Sequence, residues 1–194
     1  MDTLSLDPRP LCARAHDQLT TLIARVAAGR LDDPTPCAEF DVRGLLAHLV
    51  GGVRAAAELG RTGADVDIEP AAAVPDDGWP AAYAQARALF EKAWADDATL
   101  DARLTLPWGK LSGRDYLSSG CVLETVTHTW DLSRALGHPL PLDQELAEYA
   151  LAWARRTLPA DRRGEGVPFG PVRPAPQGAD AYGQLAAWLG RDAG

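Results

Sequence analysis

Glu124 and His128 stand four residues apart in a stretch that reads as helix. At about 100° per residue they share one face, one turn apart. A carboxylate oxygen and an imidazole nitrogen so placed can grip one cation, and two histidines, a glutamate and a water form a known catalytic zinc set. The same spacing also suits a hydrogen-bonded surface pair. His48 lies in Leu45-Leu46-Ala47-His48-Leu49-Val50-Gly51-Gly52-Val53, an apolar helical run that puts its imidazole inside a bundle. There it is either a core histidine satisfied by one hydrogen bond or a third ligand. Gly51 and Gly52 each cost roughly 1 kcal/mol relative to alanine in a helix, which points to close approach of another backbone or to a bend.

Three neighbours carry two readings each. On an α-helical projection Cys121 falls within about 60° of Glu124 and His128, so it approaches the site or, as free cysteines mostly do, fills core space. Asp131 lies one turn beyond His128, either orienting that ligand or satisfying backbone amides. Trp130 points away from His128 and reads as packing. His16 and His138 read as surface or terminal residues, with His138 after Gly137 at a helix end where positive charge suits the dipole. No phosphate-binding loop, dinucleotide fingerprint, Gly-x-Ser-x-Gly elbow or His-Glu-x-x-His motif is present.

The elements that must position these residues are long helical segments between Pro/Gly-rich breaks. The first runs over residues 8–28, with Asp7 as N-cap, Pro8 at the first helical position and Gly29 as the stop. Leu11, Ala15, Leu19, Leu22, Ile23 and Val26 form its apolar stripe. The loop 32–37 leads to a second helix starting at Asp41, with Phe40 and Leu45 at hydrophobic-staple positions, and ending near Gly60. After a polar connection over 61–78, a third helix covers 80–95. Residues 104–111, around Pro107-Trp108-Gly109, form a short hairpin or an irregular loop. Ser112 and Asp115 then make a capping-box variant, with Leu111 and Tyr116 as its staple, opening the helix that carries Glu124 and His128 and stops at Gly137. A fifth helix follows over 143–158. Residues 164–178 are Pro/Gly-rich and extended, and a short final helix covers 181–189. The fold class is all-α, and bundles of this kind bury metal sites between facing helices.

The run Pro34-Thr35-Pro36-Cys37-Ala38-Glu39-Phe40-Asp41-Val42-Arg43-Gly44-Leu45-Leu46-Ala47-His48-Leu49 resembles the opening of the DinB-like / mycothiol-dependent maleylpyruvate isomerase superfamily. So does Glu124-Thr125-Val126-Thr127-His128-Thr129-Trp130-Asp131-Leu132-Ser133-Arg134-Ala135-Leu136-Gly137. The resemblance covers nearly the whole chain, through Leu189-Gly190-Arg191-Asp192, and is strongest to the single-domain actinobacterial metal-binding branch. It implies a DinB-like four-helix bundle over 1–194 as one domain, with 164–194 as an extended tail and short final helix packed on it. It also implies a metal held by a histidine of the second helix and a pair four apart on a later helix. His48, Glu124 and His128 match those positions one for one. Phe40 stands where relatives often have tryptophan. The isomerase of this superfamily has a further C-terminal lobe that contributes to its active site, and this chain is expected to lack it, so the metal site transfers better than the reaction.

Composition narrows the partners. The formal net charge of -8 argues against nucleic acid, whose binding rests on neutralising phosphates with Lys and Arg. No apolar run approaches the roughly 20 residues that span a bilayer, and Met1–Pro10 lacks the pattern of a signal peptide. Cys12, Cys37 and Cys121 are odd in number and widely spaced, unlike a disulfide framework. The expectation is a cytoplasmic monomer or homodimer with no nucleic-acid or membrane partner.

The cofactor expected is a divalent metal ion, zinc first, with nickel or another divalent ion as alternatives. A His₂Glu zinc site keeps an open position, where a small thiol would bind as the nucleophilic thiolate. The leading expectation is therefore a metal-dependent S-transferase or isomerase acting on a small thiol, mycothiol by resemblance, and an electrophilic substrate. The alternatives are a metal-dependent hydrolase, with the metal activating water, and a non-catalytic protein whose ion is structural, its fourth position closed by a protein group such as Cys121.

Overall fold

The structure is a computed structural model that describes residues 7–64, 67, 69–71, 73–106, 109–138, 140–163 and 169–194. Its first helix, α1 (Arg9–Ile23), buries Cys12, Ala15, His16, Leu19, Leu22 and Ile23. Asp7 caps it by accepting from Arg9 N at 2.9 Å. α1 stops five residues before the expected end. Arg25 and Val26 make tight bonds three residues back, to Leu22 O and Ile23 O, and a 3₁₀ turn forms at Ala28–Arg30. Arg30 then donates to the carbonyls of Ala135 and Leu136 at 2.7 and 3.3 Å, closing the loop onto the far end of the Glu124 helix.

α2 (Val42–Thr62) begins where Asp41 accepts from Gly44 N at 2.7 Å, a cap of about 1 kcal/mol. It runs through Gly60, because that glycine makes room and does not stop the helix. A Cβ there would meet the Trp94 indole at 2.8 Å. Gly63, with φ +71°, is the residue that ends it. Gly51 does the work expected of a small residue, since the backbone at Glu69 and Pro70 crosses directly over it.

α3 (Trp79–Ala93) is followed by a short helix, α4 (Asp97–Asp101), that the sequence reading did not anticipate. β1 (Arg103–Leu106) and β2 (Gly109–Ser112) pair antiparallel as a hairpin, a small strand component in a helical molecule. Pro107 and Trp108, residues 1–6, residues 65, 66, 68 and 72 of the 61–78 connection, residue 139, and 164–168 of the 164–178 stretch lie outside the described residues.

Ser112 caps the next helical run as expected, accepting from Asp115 N at 3.1 Å. That run is composite. α5 (Gly113–Tyr116) passes into a π-helical segment, Leu117–Leu123, and then into α6 (Glu124–Ala135). α7 (Gln144–Thr157) and α8 (Ala181–Trp188) follow, capped by Asp143 and Asp180. α1 packs on α3 and α6, and α2 packs on the same two, so these four close a bundle. α7 lies against the π segment and α8, and α8 also meets α6. One continuous apolar core includes side chains from all of these helices.

Candidate metal centre

Glu124 is the first α-helical residue after the π turn, so the wide turn sets the phase at which it and His128 face α2. Such π segments recur beside functional sites. His48, in the first half of α2, faces them. His48 Nε2 and His128 Nε2 both approach the same atom, Glu124 Oε1, at 2.8 and 3.0 Å. One ligand atom from each residue lies within 4.8 Å of the others. The three residues predicted from sequence are thus brought together from two helices. His128 is almost sealed, with 6 % of its side chain exposed, while Glu124 keeps 38 % and forms the open edge. Phe40 stacks on His48, ring centroids 4.9 Å apart, and meets His128 edge-on. The residue at the tryptophan position therefore forms a wall of the site.

Behind His128 sits Asp131, wholly buried, its Oδ2 accepting from His128 Nδ1 at 2.9 Å. Asp131 in turn accepts two bonds from Arg191, Nε to Oδ1 at 2.7 Å and Nη2 to Oδ2 at 2.8 Å. Burial alone would raise the Asp131 carboxyl, but the bonds to His128 and Arg191 outweigh it and hold the group below its ordinary value. Asp131 therefore orients His128, the first of the two readings left open by the sequence. Arg191 was not singled out from sequence. It lies 60 residues from Asp131, in the Leu189-Gly190-Arg191-Asp192 ending, which shared in the resemblance without giving Arg191 a role.

His128 thus has a carboxylate oxygen at each ring nitrogen. A neutral imidazole with its proton on Nδ1 would point a bare lone pair at Glu124 Oε1. Either a second proton or a cation must lie there. Without a cation, burial disfavours the imidazolium, but Glu124 and Asp131 outweigh it and lift His128 to about 9. Burial likewise opposes the Glu124 anion, and the two histidines more than compensate, holding it well below the usual carboxylate range. The donor set, two imidazole nitrogens and a carboxylate oxygen around one position, fits a zinc-sized divalent ion.

Cys121 is not gathered with this trio. Its sulfur lies 3.4 Å from His16 Nε2, and His16 Nδ1 lies 2.6 Å from the Tyr83 hydroxyl. The α-helical projection failed because the π segment adds a residue to the turn. His16 corrects the expectation of a surface residue, being 1 % exposed within the core. An imidazole on the α1 stripe reads as polar in sequence, while its burial depends on Cys121 and Tyr83 arriving from elsewhere. His138 is exposed, as expected, just past the end of α6. Cys37, half-buried, forms a second potential ligand group with His128 and Asp131. Trp130 packs in the wall of a cavity of about 550 Å³ between α6 and α8, with the Arg134 guanidinium over its ring, and neither this cavity nor one of about 400 Å³ beside α8 is lined by the trio.

A helical bundle with imidazoles and a carboxylate converging between facing helices is an architecture in which bundle proteins hold metal ions. Comparison with known proteins places the chain more closely. It belongs to the family described as the mycothiol maleylpyruvate isomerase N-terminal domain, which residues 12–133 match. Uncharacterized proteins from two strains of Mycobacterium tuberculosis are 37 % identical over 186 residues, 96 % of this chain and 98 % of theirs. The crystal structure of the mycothiol-dependent maleylpyruvate isomerase shares the fold at 14 % identity, with a TM-score of 0.60 over 83 % of this chain and 72 % of that one. A histidine-to-alanine mutant of that enzyme gives 0.59. Among the described residues no helix is long and apolar enough to cross a membrane.

Proposed function

We propose that the chain is a divalent-metal-binding protein that holds zinc through His48, Glu124 and His128, and that it acts on a small thiol of the mycothiol class in S-transfer or isomerisation. The observation that carries this reading is the convergence of two imidazole nitrogens on one glutamate oxygen, beside a partly exposed edge. Bound zinc would supply Lewis acidity sufficient to hold a thiol as its nucleophilic thiolate.

The chain's own residues set the terms. Asp131 fixes the proton of His128 on Nδ1 and leaves Nε2 free to ligate. Phe40 stacks against one face of the His48 ring. The exposed side of Glu124 leaves room for a thiol to arrive. Family membership supports mycothiol as that thiol, as it does for the similar isomerase. The structural-ion alternative looked to Cys121 as a closing ligand, and that sulfur faces His16 instead.

The test uses zinc-loaded and metal-stripped protein side by side, with a panel of thiols that includes mycothiol and a panel of electrophiles that includes maleylpyruvate and alkylating agents. Calorimetric binding of mycothiol only to the loaded protein, together with thiol-dependent loss or rearrangement of an electrophile, is expected. Turnover of esters or amides without any thiol would instead establish the hydrolase. Equal results for loaded and stripped protein would sink the metal-dependent reading.

A further inference from the structure

Arg191 reaches the metal centre from outside the four-helix bundle. α8 ends at Trp188, and the chain turns at Gly190, whose φ of +88° suits glycine and whose Cβ, if it had one, would fall 2.7 Å from Gly170 Cα. The next amide, Arg191 N, bonds back to Ala186 O at 2.9 Å. This turn sends the guanidinium inward, where it is only 9 % exposed and meets Asp131, which is 0 % exposed. A carboxylate rotates easily about its last bond. A planar two-pronged grip on both oxygens prevents that rotation. The oxygen so fixed, Oδ2, is the one that receives His128 Nδ1.

We infer that Arg191 is a positioning residue of the metal centre, holding the Asp131 carboxylate at the angle that aims His128 Nε2 at the ion. This rests on the metal reading proposed above. It makes the segment after α8, which offers no ligand itself, a determinant of metal affinity. A purely structural ion pair would lock the segment to the bundle without altering the ligand.

The two roles separate in a zinc competition titration against a chromophoric chelator, using wild type, Arg191→Met, Arg191→Lys, Asp131→Asn, the Arg191→Met/Asp131→Asn double variant and Leu189→Ala. Leu189 is buried in the same segment and its side chain has no group that can hydrogen-bond Asp131, so its truncation tests loosened packing alone. Arg191→Met and Asp131→Asn should each weaken zinc roughly 10–100-fold, as loss of a ligand-orienting partner does. Their double variant should be no weaker than the worse single. Arg191→Lys should fall between, since an ammonium keeps the charge and loses the fork. Leu189→Ala should bind like wild type, and the visible spectrum of the cobalt-substituted protein should shift in Arg191→Met but not in Leu189→Ala. Wild-type affinity in Arg191→Met, or an equal loss in Leu189→Ala, would overturn the inference and leave the metal reading standing. Should Arg191→Met fail to fold, wild-type affinity and an unshifted cobalt spectrum in Arg191→Lys would overturn it equally. A wild type that binds no zinc would remove both.

Discussion

His128 binds a proton at both ring nitrogens when no metal is present, because each faces a carboxylate. Zinc must displace the proton on Nε2, so near neutral pH binding should release about one proton to buffer. Apparent affinity should then rise about tenfold per pH unit and level off near the raised value of about 9. Titrations in buffers of different ionisation enthalpy check the proton count, and a pH-independent affinity would contradict the arrangement. The metal-free fold has its own dependence. The folded value lies above the ordinary 6.5, so the stability contributed by His128 is complete below about 6.5 and is lost as pH rises through about 9. Denaturant melts of stripped protein across that window should show the decline. The convergence of the trio was legible in sequence because helix periodicity pairs Glu124 with His128, and the apolar flank of His48 sends it inward. The residues that serve them were less so. Asp131 was a candidate with two roles, and Arg191 none, because a partner 60 residues away leaves no local pattern.

At the scale of elements, α2 carries a contrast that tests how the site is framed. A Cβ on Gly51 would lie 2.4 Å from the carbonyl oxygen of Glu69, a backbone atom with little freedom to move, whereas one on Gly52 meets nothing within 4 Å. Gly51→Ala should therefore destabilise by about 1–3 kcal/mol, the range of overpacking. Gly52→Ala should stabilise by up to about 1 kcal/mol through helix propensity. Chemical denaturation of both measures the difference, and equal effects would show that the crossing of 69–70 over α2 is wrong. The glycine pair announced a close approach, yet nothing in it told which glycine mattered. Helix starts were readable from Asp41, Ser112 and Asp143, whose side chains accept from their own first turns. The π turn was not readable, since no local pattern in 117–123 marks the extra residue, and the segment packs against α1 and α7. That one turn moved Cys121 from the site to His16.

For the molecule as a whole, a metal held as proposed between α2 and α6 would link two helices distant in sequence, so its binding should stabilise the fold. Free zinc at 100 times its Kd should contribute about 2.7 kcal/mol, and chelation should lower Tm, with recovery on readdition. His48→Ala should abolish that response. Removing Arg191 should also cost stability in the absence of metal, about 1–3 kcal/mol for the bonds lost by a buried acceptor, because the enclosed Asp131 would keep only its bond to His128. The bundle class was legible from helix-length apolar periodicity. The attachment of the final segment through Arg191 was not, being a tertiary ion pair. The most direct test of the central claim is an anomalous-diffraction crystal structure of zinc-loaded protein recorded at the zinc edge. One peak bonded to His48 Nε2, Glu124 and His128 Nε2 at about 2.0–2.2 Å is the predicted result. A zinc peak elsewhere, or none at this trio in protein shown to contain one zinc per chain, would contradict the account.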